Sequence, residues 1–264
     1  MQVVVAGTGR WGQIHCEKVQ TSAWATLAGV VDPNAAHAQR AADMFNVPVF
    51  ESIAKCSEAE FVIIATPWRE VAGLVEQSCS LGLSFLAEKP VSISSDALHH
   101  LQQLTMRSKV VGCVGYQLRF HPRLEHFDVS DSLCITREER TFDSLWAMVC
   151  DCGVHDIDLA IRLAGEVSRL TEVRLEGTCV NVSAVTVRGV DVHWQWRMGT
   201  QVIRSLESGA QTIDFTQASE DLLSNQWAGV HMRCEKRPSA VAGLSDAYAV
   251  ASVLDALRSR GQIA

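Results

Sequence analysis

Gly7-Thr8-Gly9-Arg10-Trp11-Gly12 reads GxGxxG. It stands between an apolar run at 3–6 and a segment of helical character from 13 to 20. In that setting each glycine has a use: a tight turn, close approach of a pyrophosphate, and close packing of strand on helix. Pyrophosphate oxygens would rest on the free N–H groups at the helix N-terminus. Asp32 closes the next apolar run, 20 residues after Gly12. There a carboxylate accepts hydrogen bonds from the ribose of an adenosine. The plainer alternative is a glycine turn and an aspartate that caps a helix before Pro33. Context and spacing together favour a dinucleotide. A carboxylate at 32 repels a 2′-phosphate and so favours NAD. Arg10, His37 or Arg40 could offset its charge, which leaves NADP as the alternative.

Two further groups could do chemistry. Lys89 follows a short β-prone run at 85–87, in a chain with five lysines against 18 arginines. When a hydride leaves a secondary alcohol, negative charge develops on its oxygen. An ammonium stabilises that charge, and a lysine can relay the proton. By residue type alone, a solvated charge at a strand end is an equal reading. Asp151 and His155 are spaced i, i+4, which puts them on one face of a helix. An imidazole can take an alcohol proton near neutral pH, although a lone histidine at a helix start is often structural. Asp158, three residues on, could hold a ring nitrogen or lie at the surface. Cys150, Cys152 and His155 are zinc-type ligands, but no fourth is apparent and no metal is expected.

The elements that must position these groups fall into two halves. Up to about residue 114, β-prone runs (3–6, 24–31, 61–66, 85–87, 110–114) alternate with helical segments (13–20, 34–45, 69–81, 95–107). That alternation predicts a parallel sheet covered on both faces, a doubly wound α/β domain. After a helix over 154–164, residues 167–215 are rich in β-branched and alternating positions. In 191–197, Val192, Trp194 and Trp196 face one way, and Asp191, His193, Gln195 and Arg197 the other. An antiparallel sheet with one buried face follows. A last helix over 243–260 carries Ala247, Val250, Leu254 and Leu257 on one side. The domains are expected at 1–118 and 119–264, with the last helix able to pack back on the first.

Composition narrows the partners. Of 264 residues, 47% are hydrophobic and 20% charged, and the net charge is −7. That argues for a globular chain and against a nucleic-acid or anionic-membrane binder. The apolar runs are too short to span a bilayer, and the N-terminus lacks the features of a secretory signal. The 9 cysteines form no CxxC pair. A cytoplasmic setting with buried thiols is the expectation.

The chain resembles the Gfo/Idh/MocA oxidoreductases (glucose–fructose oxidoreductase, inositol dehydrogenase and relatives). GTGRWG at 7–12, VVDPNAAHAQRAADMFNVPVF at 30–50 and ATP at 65–67 carry the likeness. AEKP at 87–90, GYQLRFHP at 115–122 and DCGVHDIDL at 151–159 continue it in the family's order. The resemblance implies a Rossmann domain followed by an α+β domain with an open, mostly antiparallel sheet. It implies Lys89, His155 and Asp151 as the catalytic set, with His155 the acid/base and Asp151 its positioner. It implies a cofactor site drawn from Gly7, Gly9, Arg10, Trp11, Gly12, Asp32, Thr66, Pro67, Glu88 and Lys89. Tyr116, Arg119 and Trp146, with Asp151 and His155, are the expected substrate contacts. A cis peptide before Pro90 is also implied, as is a homo-oligomer, dimer or tetramer, through the open sheet face.

The chain departs from the family at two places. Trp68-Arg69-Glu70 stands where many members carry a histidine, and Ala147-Met148-Val149-Cys150 where many carry glycines. The stretch 123–149, where relatives hold substrate-pocket elements, is short. The implied function is hydride transfer between NAD(P) and a small cyclitol, sugar or nucleotide-linked sugar. The alternatives are an imine or other unsaturated substrate on the same fold, and a non-catalytic dinucleotide sensor or scaffold.

Overall fold

The structure is a computed structural model that describes residues 1–217 and 221–261. In chain order its first elements are β1 (Gln2–Ala6), α1 (Arg10–Thr21), β2 (Thr26–Val31), α2 (Ala35–Phe45), β3 (Phe61–Ile64), α3 (Trp68–Leu81), β4 (Ser84–Ala87), α4 (Ser95–Ser108) and β5 (Gly112–Val114). Then come β6 (Ser132–Glu139), α5 (Leu145–Met148), a π-turn (Val149–Gly153), α6 (Val154–Ala164), β7 (Val167–Glu176), β8 (Cys179–Thr186), β9 (Asp191–Met198), β10 (Ile203–Ser208) and β11 (Gln211–Asp214). Helices α7 (Leu222–Cys234) and α8 (Leu244–Ser259) complete the described chain. It divides into two compact units.

The first unit holds a five-stranded parallel sheet in the order β2-β1-β3-β4-β5. All four residues of β3 are buried, as a strand covered on both faces requires. Val30 also bridges Val49 in parallel, through Val30 N–H to Pro48 O and Phe50 N–H to Val30 O. That bridge stands where a doubly wound nucleotide fold has its third strand, so the Rossmann order survives with one strand cut to a single bridge. The strand order reverses at β1. The crevice for a ligand therefore opens at the C-terminal end of β1, where the glycine loop lies.

The second unit holds a six-stranded sheet in the order β11-β10-β6-β9-β8-β7. Only the β6–β9 pair is parallel. One face is apolar: Leu133, Ile135, Val180, Val182, Val192, Trp194, Trp196 and Leu206 are all buried. Helix α6 packs on β6 and β9. The opposite face is polar, with Thr136 opposite Gln195, and Ser183 and Cys134 opposite His193.

Three expectations are corrected. The units are not cut once between 118 and 119, because residues Leu223–Ser245 return to the first. Trp227 of α7 stacks on Trp24 at 4.4 Å and meets Phe61 edge-on, and Ala242 bridges Val114 beside β5. Of the last helix, only Leu244 and Ser245 cluster with the first unit; from Asp246 the chain belongs to the second. The strand expected over 110–114 shortens to Gly112–Val114. Strand β6 and helix α7 carry no clear periodic signal. Arg137 and Glu139 of β6 are buried, and Gln226 of α7 is buried in its Leu222–Val230 stripe.

Candidate functional site

The glycine loop has the shape a dinucleotide needs. Gly7 adopts φ +90°, and a Cβ there would overlap the Ala65 carbonyl. A Cβ at Gly12 would overlap the Gly7 carbonyl oxygen, so the third glycine lets α1 close onto the loop. Gly9 faces open space. It is the N-cap of α1, no side chain caps the helix, and no acidic residue lies in its first turn. An anion can therefore take the helix's N-terminal N–H groups. Arg10 and Trp11 lie at that helix start and are exposed.

Beside the loop is a cavity of about 550 Å³, lined by Gly7, Gly9, Asp32, His37, Thr66, Pro67 and Glu70 among others. Among the described residues that line it, none is lysine or arginine. Arg10 lines a separate groove, with Gln13 and Met44. The Asp32 carboxylate is held in place: Thr8 donates to Oδ2 from its N–H at 2.8 Å and its hydroxyl at 2.9 Å. The Asn34 N–H donates to Oδ1 at 2.9 Å. Burial alone would raise its pKa, but these bonds and His37 outweigh it and hold the carboxyl below the usual range. A carboxylate has about four acceptor sites, so Oδ1 keeps room for a ribose hydroxyl. The Thr66 Oγ1 is buried without a protein partner at the same cavity. That orphaned hydroxyl, the open Gly9 and the charged Asp32 fit an adenine dinucleotide.

Glu88 is buried, and its Oε1 lies 2.8 Å from Nε2 of the buried His15 on α1. A Cβ at Gly115 would come within 3.0 Å of the Glu88 carboxylate, so the β5 end must be glycine to admit it. This carboxylate therefore ties the strand end to α1, where a contact with cofactor was expected. Lys89 follows, partly exposed, with a cis bond to Pro90.

In the second unit, Asp151 lies on the π-turn and is exposed, while His155 lies in the first turn of α6 and is buried. The segment 145–153 is helical throughout, which explains why Ala147–Cys150 need no glycine. Burial pushes the Cys150 thiol up to about 12, so it stays protonated. Among the described residues, no three His, Cys, Asp or Glu side chains gather as metal ligands would. Trp146 on α5 is half-buried.

Asp158 does not hold His155. Its two oxygens take Nε and Nη2 of Arg119 at 2.7 and 2.6 Å. Arg119 Nη2 also donates to Asp246 at 2.7 Å, and the residue is 7% exposed. A substrate contact is thus a poor description of Arg119; it joins α6 to α8 inside the second unit. Tyr116 is buried in the first unit. Sequence reasoning also missed Arg137 and Asp156, a buried ion pair next to His155. Asp156 carries no motif of its own, and only the inward face of β6 reveals its partner.

A family model described as "Oxidoreductase family, NAD-binding Rossmann fold" matches residues 1–116. Over 118 residues the chain is 30% identical to inositol 2-dehydrogenase of Rhizobium meliloti (strain 1021), covering 44% of this chain and 36% of that enzyme. The alignment thus spans little more than a third of that relative. Among solved structures, UDP-N-acetylglucosamine 3-dehydrogenase GnnA from Acidithiobacillus ferrooxidans is similar at TM-score 0.86 and 21% identity, over 100% of this chain and 97% of that one. GenD2 from gentamicin A biosynthesis, in complex with NAD, is similar at TM-score 0.84 and 19% identity, over 99% and 94%. At such identities the likeness is one of fold. The first 116 residues thus match the NAD-binding Rossmann domain of the Gfo/Idh/MocA oxidoreductases, and the whole chain shares the fold of the two solved dehydrogenases.

Proposed function

We propose that the protein is an NAD-dependent dehydrogenase that oxidises a secondary alcohol of a small polyhydroxylated substrate, a cyclitol, sugar or nucleotide-linked sugar, or reduces the matching ketone. The observation that carries the cofactor half is the charged, pre-oriented Asp32 in a cavity without lysine or arginine among its described lining. The relatives' names, inositol 2-dehydrogenase and UDP-N-acetylglucosamine 3-dehydrogenase, support the substrate class. NAD, when bound, supplies the hydride acceptor. Thr66 and Asp32 would bind its hydroxyls, and the α1 N-terminus its pyrophosphate. Lys89 supplies positive charge for the substrate oxygen, His155 takes the hydroxyl proton, and Asp151 orients the hydroxyls. None of the described helices is long and apolar enough to cross a membrane. A cytoplasmic setting accords with the nine free cysteines, of which Cys16 and Cys113 are pushed up to about 12 by burial. We further propose that the polar face of the second unit's sheet pairs two copies.

The test is NADH formation with inositols, aldoses and UDP-N-acetylglucosamine, alongside NADH consumption with imines. On the best alcohol, His155→Ala should lower kcat by about 10²- to 10⁴-fold, and Lys89→Met by about 10²- to 10³-fold. Turnover of an imine and of no alcohol would replace the substrate assignment. Unchanged rates in both variants would remove the catalytic one.

A further inference from the structure

Asp156 directly follows His155, and its carboxylate takes three hydrogen bonds from two side chains. Arg137 of β6 donates to it twice, Nε to Oδ2 at 2.7 Å and Nη2 to Oδ1 at 2.5 Å. The Trp196 Nε1–H of β9 donates to Oδ2 at 2.9 Å, and the Trp194 Nε1–H to the Asp156 carbonyl at 3.3 Å. Arg137 and Asp156 are 3% and 2% exposed. The third arm of the guanidinium, Nη1, donates to Glu139 at 3.0 Å, and Arg204 donates to the same oxygen at 2.8 Å. The two indoles stack at 5.8 Å. A Cβ at Gly153 would come within 3.2 Å of the Trp196 ring. The sheet therefore holds the chain at 153 and at 156, the two ends of the join between the π-turn and α6.

Stability alone is a poor reason for this arrangement. A buried ion pair replaced by apolar groups of similar volume is often neutral or even more stable. What the pair supplies is direction. A guanidinium fork and an indole N–H fix a carboxylate in angle as well as distance. A π-turn departs from regular α-helical geometry and is a common feature of functional sites. Here it carries Asp151, and the clamped α-turn carries His155.

We propose that Arg137, acting through Asp156 and backed by Trp196, is a positioning residue that sets His155 relative to Asp151. This rests on the reading of His155 as proton acceptor. The test uses the full-length double variant Arg137→Met/Asp156→Leu, which removes the pair without leaving a lone buried charge. The readouts are the melting temperature, NAD⁺ affinity by calorimetry, and the pH titration of the His155 Cε1–H resonance, assigned by its loss in His155→Asn. The double variant should melt as a folded protein and keep its NAD⁺ affinity within about twofold. Its His155 midpoint should move by about one pH unit, a tenfold change in proton affinity. Arg137→Lys, which keeps charge but loses the fork, should fall between. A folded double variant whose His155 titrates as in the wild type overturns the proposal. If the double variant does not fold, Trp196→Phe removes one donor and keeps the ion pair. A moved midpoint there supports the proposal and an unmoved one overturns it. His155→Asn with undiminished turnover would instead sink the proton-acceptor reading, whatever the resonance does.

Discussion

Asp32 carries its charge and its orientation before any cofactor arrives. Three protein donors hold its oxygens, and its carboxyl sits below the usual range. A folded value below the unfolded one means that the unfolded chain binds the extra proton. The contribution to stability is therefore present above the ordinary carboxylate pKa of about 3.9, and is lost as pH falls through the folded value. The melting-temperature gap between wild type and Asp32→Asn should be open at neutral pH and narrow steadily below about pH 3.9. A gap that ignores acid would mean the three bonds do not act on the charged form. On the proposed reading, the same charge selects NAD over NADP. Asp32→Ser removes a charge-assisted bond of about 1.5–3 kcal/mol, so kcat/KM for NAD⁺ should fall by about 10- to 100-fold. Use of NADP⁺ should rise, since His37 then faces the 2′-phosphate with less opposition. Unaltered preference between the two cofactors counts against Asp32 as the selector. At this scale, the spacing alone singled out Asp32. Its clamp was hidden, because Thr8 occupies a variable position of GxGxxG and its side chain shows no motif.

Elements with a clean period could be read, and those crossed by buried polar residues could not. The parallel strands are short runs of apolar residues, and β9 alternates strictly, with Val192, Trp194 and Trp196 buried. Both signals survive in one dimension. Strand β6 turns Arg137 and Glu139 inward, so its alternation fails where its partners lie far along the chain. Helix α7 sits in the first unit through Trp227, a contact between residues some two hundred apart. That return explains why a single boundary near 118 was the natural reading. It also predicts that α7 is structural to the nucleotide domain. Trp227→Ala empties a buried aromatic site and should cost about 3–5 kcal/mol, read from denaturant midpoints. A loss below about 1 kcal/mol would show α7 to be a loose appendage. Gly12→Ala tests the loop end of the same unit. The added methyl meets backbone, which cannot swing aside, so α1 must shift. NAD⁺ affinity by calorimetry should drop at least tenfold, while a fully folded variant with native affinity would show that the contact relaxes freely.

The pairing of copies proposed above would use the polar face of the second unit's six-stranded sheet. Six strands at about 4.8 Å spacing and roughly eight residues at about 3.3 Å each make a face about 25 Å on a side. That approaches the ~800 Å² per partner of a standard interface. Thr136, Asn181, Ser183, His193 and Gln195 form a polar patch on β6, β8 and β9, with Gln195 bonded to Asn181 at 3.0 Å and His193 to Ser183 at 3.0 Å, and it is flanked by Glu207 opposite Cys134 and by Glu138 and Arg197, 3.9 Å apart. Charges gather toward the margins, as at Arg174, Glu172 and Asp191. A polar centre with charges around it is compatible with an interface, where buried charges are costly and peripheral ones set orientation. Two copies related by a twofold axis would place the same patch on itself, so no second surface is needed. Light scattering should give a mass of two or more chains at micromolar concentration. Thr136→Glu with Gln195→Glu would put like charges at the centre of the pair and should return it to monomers, with NAD⁺ affinity retained, because the nucleotide loop and Asp32 lie in the other unit. A wild type that is monomeric at every concentration would refute the pairing. An oligomer indifferent to both substitutions would place its contact on another face.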